Sequence, residues 1–450
     1  MENWGNLGHL FVTVFLSNFA ALVVNLAIAD VTMEAVCPGK DECSLAIYLT
    51  GFQQAIAGLG SVVLMPLIGN MSDAYGRKAL LTIPMILSII PLGILAWKRT
   101  TNFFYAYYVL KTITAMVSEG GILCLALGYL ADSVSEGKRV SAFGVLAGVV
   151  SGASLCSTFA ARLLSTAQIF QVAAAVSIAA ALYMRIFLKD LTPNTNVLEE
   201  PILKPETERD RVGCESLREI DFFKQIPSPK DIIHLLKSST TFSVAAFVAF
   251  FNSLAEAGVQ AFLMYYLKAR FQFKKNQFAD IWLITYIGAT VSNMLFMPIL
   301  GPLIGEETLL SVGLFAGFLN MLLYSIAWSS WVPYVSAWLS VFLFLASPSI
   351  RCIVSKQVGP CEQGIAQGCL LGIASFANVI SPLIYSPLSA LFLSEGAPFN
   401  FPGFSIMCIG LAWLIGFILS IVIKIIPLIP KDREVHGSLK GKTRPAPTLV

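Results

Sequence analysis

Long apolar runs separated by short polar turns make up most of the chain. Each run is close to the ~20 residues that an α-helix needs to cross the ~30 Å hydrocarbon core of a bilayer. The pattern predicts twelve spans, near residues 8–29, 46–69, 79–97, 104–130, 140–163, 167–188, 241–267, 277–301, 308–328, 332–350, 365–393 and 402–426. The chain is therefore predicted to be an all-α polytopic membrane protein.

A long polar stretch divides the spans into two groups of six. It contains prolines and charges of both signs, which is typical of an aqueous linker. We therefore predict an N-terminal six-helix bundle over 1–189, a linker over 190–238, a C-terminal six-helix bundle over 239–428 and a tail over 429–450. The linker and the tail are both predicted to be cytosolic.

The two groups of spans resemble each other in short glycine-containing segments. PLIG at 66–69 recurs as PILG at 298–301, and GVLAG at 144–148 recurs as GCLLG at 368–372, with nearly equal offsets. Equal offsets predict a six-helix pseudo-repeat, which is typical of transporters built from related halves around a midplane site. Chance similarity between glycine-rich helices is the alternative explanation.

Composition supports a membrane protein and excludes several other classes. Hydrophobic residues make up 56% of the 450 residues and charged residues 13%, and the mean hydropathy of +0.74 is well above that of a soluble globular domain. The chain has only three histidines, lacks a phosphate-binding loop followed by Lys-Ser/Thr, and shows no credible Ser-His-Asp or Cys-His set. We expect no enzyme activity, no cofactor, no metal and no nucleic-acid partner.

Basic residues in the loops set the predicted orientation, because Lys and Arg near span ends resist translocation. With both termini on one side and the long linker left out, that side has 14 Lys and Arg against eight on the other. A basic cluster at 268–275 runs against the rule. Both termini are predicted cytosolic, in a plasma membrane or an endomembrane such as the vacuole. Cys37 and Cys43, close together after the first span, are open to a disulfide or to two free thiols.

A charged turn between the second and third spans interrupts the apolar pattern. It reads PLIGNMSDAYGRKALL and carries Gly69, Asp73, Gly76, Arg77 and Lys78. This G-x-x-x-D-x-x-G-R-K spacing resembles the signature of the major facilitator superfamily, with every position filled. The surrounding residues resemble more narrowly its tetracycline-resistance-like and hippocampus-abundant-transcript-like branch, a neighbour of the proton-coupled folate transporters.

The resemblance implies a secondary transporter that rocks two bundles about a central cavity. Gly69 and Gly76 would then permit a tight turn, and Asp73 would accept bonds from Arg77 or face a helix N-terminus of the other bundle. Such a contact would latch the cytosolic side, with its charges outside the hydrocarbon and unburied. The alternative is that Arg77 and Lys78 only anchor the topology while Asp73 caps the next helix.

The chain departs from the family pattern in two places. The second copy of the motif, GPLIGEETLL at 301–310, lacks the acid and the basic pair, so a latch is expected from the first half alone. The fifth span has Gly144, Gly148 and Gly152 at a spacing that favours close helix packing, but it lacks the Gly-Pro pair of the antiporter signature. This second departure weakens the case for a drug/proton exchanger.

Ionisable side chains in the fourth span are candidate functional groups, because a charge inside the membrane is costly and by default faces a cavity. Lys111 and Glu119 are eight residues apart, about 12 Å along a helix. At that separation they are not expected to pair directly, so each would meet a substrate or a residue on a neighbouring helix. A structural bridge to a polar partner is the alternative.

Polar residues at helical spacing mark the seventh and first spans. Asn252, Glu256 and Gln260 recur at i, i+4 and i+8, which places them on one helix face. Shielding from water would let Glu256, the strongest candidate, take and release a proton during a transport cycle. A satisfied packing residue is the alternative. Asn18 and Asn25 lie seven residues apart near one face of the first span.

These features predict a secondary active transporter of a small organic solute, proton-coupled and working by alternating access as a monomer in the lipid bilayer. In the superfamily the first, fourth, seventh and tenth spans line the central cavity, which agrees with the spans that carry most of the candidate groups. The candidate groups suit a polar or zwitterionic organic molecule better than a simple ion. A receptor or trafficking adaptor on the same scaffold is the alternative, and the sequence fixes neither substrate identity nor symport over antiport.

Overall fold

The computed structural model describes residues 4–25, 27–36, 44–190, 239–273, 275–359, 362–392, 398 and 401–425. The linker beyond residue 190, the tail from residue 429, and Cys37 and Cys43 lie outside the described residues. Twelve helical segments in the described part are long and apolar enough to cross a membrane, and no strand occurs there. The predicted all-α polytopic fold is confirmed.

The helices follow the predicted order, and spans are numbered from one to twelve below. Spans one to six consist of Trp4–Asn25, Ser44–Tyr75, Arg77–Trp97, Thr101–Ser133, Arg139–Leu163 and Thr166–Phe187, with Ile28–Val36 as a short helix after span 1 and a 3-10 turn at Glu136–Lys138. Spans seven to twelve consist of Thr240–Phe271, Lys275–Val291 continued through Ser292–Phe296 to Met297–Ile304, Glu306–Ser325, Val332–Leu339 continued through Ser340–Leu345 to Ala346–Lys356, Gln363–Phe392 and Phe404–Ile425.

Two spans contain a change of helix type. Residues Ser292–Phe296 of span 8 form one π-helical turn, and residues Ser340–Leu345 of span 10 form a 3-10 segment. The 3-10 segment does not end span 10, which continues to Lys356. The predicted end at residue 350 is therefore wrong. Polar residues such as Arg351 and Ser355 lower the hydropathy of this last stretch, but the helix is held by packing against neighbouring spans.

The same glycine turn joins the second and third spans of each half. Gly76 has a backbone φ of +92° between Ser44–Tyr75 and Arg77–Trp97, and Gly305 has a φ of +78° between Met297–Ile304 and Glu306–Ser325. A positive φ is strained for any residue with a Cβ, so glycine lets the chain reverse sharply at both places. The second half thus keeps the turn of the first half although it lacks the charges.

The halves are joined by apolar packing as well as by polar contacts. One cluster of buried side chains belongs to the second half alone, whereas another combines first-half residues such as Leu130 and Phe143 with second-half residues such as Met297 and Leu345. The methionines Met294 and Met297 fill the space at the fifth-span glycines 144 and 148. A methyl group on Gly152, one turn further, would meet no atom within 4 Å.

Candidate functional site

The carboxylate of Asp73 contacts the first turn of span 11. Its Oδ1 accepts a hydrogen bond from the backbone N–H of Gly364 and its Oδ2 from that of Ile365, both at 3.0 Å. The first N–H groups of a helix have no partner within the helix and carry the positive end of its dipole, so a carboxylate is favoured there. This contact joins the two halves at one end of the molecule, which we call the signature end.

Arg77 holds the Asp73 carboxylate in place from its own half. Its guanidinium forms an ion pair with Asp73, donates to Ser72 Oγ, and donates from Nε to Asp132 Oδ2 at 2.9 Å. Arg77 is 4% exposed and the Asp73 side chain 8% exposed, so the expectation that these charges stay unburied is wrong. The charges tolerate burial because each is paired and hydrogen-bonded.

Gly69 allows the close approach of spans 2 and 11. It lies inside the helix Ser44–Tyr75, so the expectation that it forms part of the turn is wrong, and Gly76 alone makes the turn. A Cβ on Gly69 would overlap the carbonyl group of Gly364, and a Cβ on Gly364 would overlap the carbonyl oxygen of Gly69 and the guanidinium of Arg77. Lys78 is partly buried at the start of span 3.

Gly364→Ala is expected to push the halves apart at the signature end. Overpacking of this kind costs about 1–3 kcal/mol, which would shift the balance between closed and open forms by about 5- to 150-fold. Pulsed electron resonance between spin labels at Glu136→Cys and Glu362→Cys, both exposed and on opposite halves, measures the separation. Gly152→Ala is the matched control, since its methyl group meets nothing. Equal distance distributions in the two variants would contradict the packing argument.

A second charged residue of the first half reaches a helix end of the second half. Arg139, 8% exposed, donates from Nη1 to the carbonyl oxygen of Ser355 at 3.1 Å. Ser355 lies in the last turn of span 10, where unpaired carbonyls favour a cation. Gln363 donates to the same carbonyl at 2.9 Å and accepts from Ser355 Oγ at 2.6 Å. Two first-half residues therefore join the halves at the signature end. Asp73 contacts the start of span 11, and Arg139 contacts the end of span 10.

A cavity of about 360 Å³ lies between the two halves. Spans 4 and 5 of the first half and spans 7, 8, 9, 10 and 12 of the second half contribute its walls. Most lining side chains are apolar or aromatic, with a few polar and charged groups. Representative lining residues are Leu123, Phe143, Glu256, Gln260, Trp282, Asn320 and Arg351.

Glu256 lines this cavity and belongs to a hydrogen-bond network within the second half. Its Oε1 accepts from Asn252 Nδ2 at 2.9 Å and from Ser347 Oγ at 3.1 Å. Asn252 is buried, and its Oδ1 accepts from the indole of Trp413 at 3.0 Å. The network fixes the carboxyl between spans 7, 10 and 12. Of the three polar residues predicted on one face of span 7, Glu256 and Gln260 line the cavity and Asn252 supports Glu256 from behind.

Lys111 and Glu119 form an ion pair, so the expectation that they cannot pair is wrong. The Lys111 Nζ lies 2.6 Å from Glu119 Oε1. The lysine and glutamate side chains are long, and together they span the distance along the helix between the two backbone positions. The Glu119 side chain is 55% exposed, and neither residue is among those lining the cavity.

The two first-span amides also lie apart from the cavity lining. Asn18 is partly buried and donates from Nδ2 to the carbonyl of Val14 in its own helix at 2.9 Å, while Asn25 is exposed at the end of span 1. The structure therefore brings only the span 7 candidates together at the cavity. Four predicted site residues do not line the cavity: Asn18, Asn25, Lys111 and Glu119. Their roles remain predictions.

Arg351 is the cavity residue that sequence reasoning missed. It lies in the last helical segment of span 10 and lines the cavity, but a span predicted to end at residue 350 places it in a loop as a topology marker. The segment SPSIR follows directly on an apolar run. Extending the helix by one more turn would have identified an intramembrane cation.

Two six-span halves that meet through charged residues and enclose a cavity define a membrane transporter of the two-bundle class. The sequence matches the Major Facilitator Superfamily over residues 10–382, and the chain belongs to that family.

Named relatives agree with the predicted branch. Human hippocampus abundant transcript-like protein 1 is 23% identical over 391 residues, covering 86% of this chain and 71% of that protein. The class G tetracycline resistance protein of Vibrio anguillarum is 24% identical over 379 residues, covering 82% and 84%. The crystal structure of the human organic anion transporter MFSD10 (TETRAN) matches with a TM-score of 0.72 at 16% identity, covering 92% and 98%, a likeness that shows the fold.

Proposed function

We propose that the protein is a secondary active transporter that moves a small organic solute by alternating access, with protons as the coupling ion. The observation that carries the proposal is the carboxyl of Glu256, which lies inside a central cavity behind a closed gate. An ionisable group within the membrane is costly, and a receptor or adaptor gains nothing from keeping one there. The structural neighbour MFSD10 is described as an organic anion transporter, which supports an organic solute for this chain as well.

Roles follow for the two groups of residues. Asp73, Arg77 and Arg139 hold the signature end closed, with Gly69 and Gly76 permitting the packing and the turn. Glu256, with Asn252 and Gln260, forms the proton or substrate site. The Lys and Arg count of the loops supports a cytosolic signature end with both termini cytosolic, so the closed gate corresponds to an outward-facing form. One chain contains both bundles and the cavity, which supports a functional monomer.

Flux measurements in proteoliposomes test the function. Purified protein is reconstituted, a pH gradient is imposed, and uptake of labelled organic acids, bases, zwitterions and sugars is followed. Solute flux that tracks the gradient and stops when a protonophore collapses it supports proton-coupled transport. Flux that ignores the gradient would retain a transporter and overturn the coupling. No flux for any class, from protein that remains folded in the vesicles, would favour the receptor or adaptor.

A further inference from the structure

We propose that the central cavity binds an organic anion and that the guanidinium of Arg351 holds its acidic group. This inference rests on the transporter function proposed above and names its substrate class. It also changes the expectation from sequence. A polar or zwitterionic solute followed from one lysine, two glutamates and several amides, whereas in the structure Lys111 lies outside the cavity wall and Arg351 supplies its cation.

The guanidinium of Arg351 is available to bind a ligand. It lines both the main cavity and an adjoining void of about 30 Å³, and its Nη1 is buried. Within the part of the chain that the structure describes, this Nη1 has no hydrogen-bond partner. A charged N–H group that is shielded from water and has no acceptor is costly to maintain. A carboxylate, sulfonate or phosphate entering the cavity would supply that acceptor, with the planar geometry that suits two parallel N–H bonds.

Glu256 does not satisfy Arg351 directly. The two groups interact electrostatically within the cavity, but among the described residues no ion pair or hydrogen bond joins them. The Glu256 oxygen is instead held by Asn252 and Ser347. The protein thus keeps its acid and its base apart at one site, and Arg351 retains its donors for a ligand.

The cavity walls define the rest of the solute. Five aromatic side chains line it together with aliphatic residues: Phe143, Trp282, Tyr324, Phe344 and Trp413. A volume of about 360 Å³ lies within the usual range for small-molecule sites. The geometry therefore favours an acid with an apolar or aromatic body.

Charge at the site links the anion to a proton. The charged groups at the wall are Glu256 from span 7 and Arg351 from span 10; the phenol of Tyr324 from span 9 also lines it, and the thiol of Cys124 from span 4 faces Arg351. With Glu256 ionised, the Glu256 and Arg351 charges cancel; with Glu256 protonated, the site carries one positive charge. A monovalent anion binds more tightly to the protonated form, so one anion and one proton occupy the site together.

Thermal unfolding of the purified full-length protein with matched probes tests the inference. The probes are carboxylates and sulfonates with one, two or three aromatic rings, such as 2-naphthoate, each paired with its uncharged amide and its primary ammonium counterpart. We expect the anions, and neither counterpart, to raise Tm in the wild type. In Arg351→Gln the Kd for the same anions is expected to weaken about 10- to 100-fold, whereas Arg162→Gln, at an exposed arginine, leaves it unchanged.

Two further measurements separate a ligand role from a structural one. Without ligand, Arg351→Gln is expected to unfold no earlier than wild type, because it removes a cation whose buried Nη1 has no hydrogen-bond partner among the described residues. Arg351→Lys keeps a cation and is expected to retain part of the anion-dependent shift, which also serves if the glutamine variant fails to fold. Equal stabilisation by the ammonium or amide probes, or an undiminished anion shift in Arg351→Gln, would overturn the inference.

Failure of the inference and failure of the proposed function give different results. If the vesicles transport some solute while no anionic probe shifts Tm, the anion assignment is wrong and the transporter stands. If no solute of any class is transported, the proposed function is wrong as well, even where an anion binds. Anion-dependent stabilisation that disappears in Arg351→Gln, together with flux of the same anions, supports both.

Discussion

Asp73→Asn is expected to open the signature end in a large fraction of molecules and to slow transport by roughly tenfold or more. An asparagine accepts from the N–H of Gly364 or of Ile365 but not from both, since its amide nitrogen would face the second N–H donor. The change also removes the negative charge from the start of span 11. Charge-assisted hydrogen bonds of this kind contribute about 1.5–3 kcal/mol, equivalent to about a 10- to 150-fold shift in the equilibrium.

Asp132→Asn provides the control for the Asp73 prediction. Both carboxylates bond Arg77, but the bonds of Asp132 stay within the first half, whereas Asp73 also contacts span 11 of the second half. Spin-label distances across the signature end and solute flux are measured for both variants. We expect a clear opening with Asp73→Asn and a smaller one with Asp132→Asn. Equal effects would assign the phenotype to pairing with Arg77 and would remove the latch.

The sequence predicts those features of the fold that depend on neighbouring residues. The twelve spans follow from the length of apolar runs, and the turn at Gly76 follows from a glycine between two helical patterns. The contact of Asp73 is different, because its partners are 291 and 292 residues away. Only the resemblance to a known signature indicated a helix N-terminus of the other half; the residues alone named no partner.

The sequence alone did not predict which side chains are buried or how far long side chains reach. Asp73 and Arg77 look solvated in a charged turn, but span 11 packs over them and makes the site dry. Lys111 and Glu119 appear too distant when only backbone positions are counted, yet flexible side chains close the gap. Arg351 was missed because the predicted span was ended just before this charged residue, whereas the helix continues to Lys356.

The carboxyls of Glu256 and Glu119 lie in different environments, and we therefore predict different roles for them. Both are acids inside predicted spans, and both are candidate functional groups from the sequence. In the structure Glu256 lies in the cavity wall within a network of second-half residues, whereas Glu119 is more than half exposed and paired with Lys111. Because Glu119 lies outside the cavity wall and is already paired with Lys111, we expect it to contribute little to the coupling of protons to a solute.

Glu256→Gln is therefore expected to abolish the dependence of solute flux on an imposed pH gradient. Glutamine has the shape of glutamic acid, and its Oε1 still accepts from Asn252 and Ser347, so the network and the fold are expected to persist. The variant mimics a permanently protonated site. It should still exchange solute across the membrane at equal pH, but it should lose accumulation against a concentration gradient.

Glu119→Gln is the matched control for Glu256→Gln. The same chemical change at Glu119 is expected to leave gradient-driven accumulation within about twofold of wild type, because Glu119 does not line the cavity that contains Glu256. Both variants are compared in proteoliposomes for exchange at equal pH and for net uptake under a gradient. Gradient-driven accumulation retained in Glu256→Gln and lost in Glu119→Gln would reverse the assignment and place the coupling carboxyl in span 4.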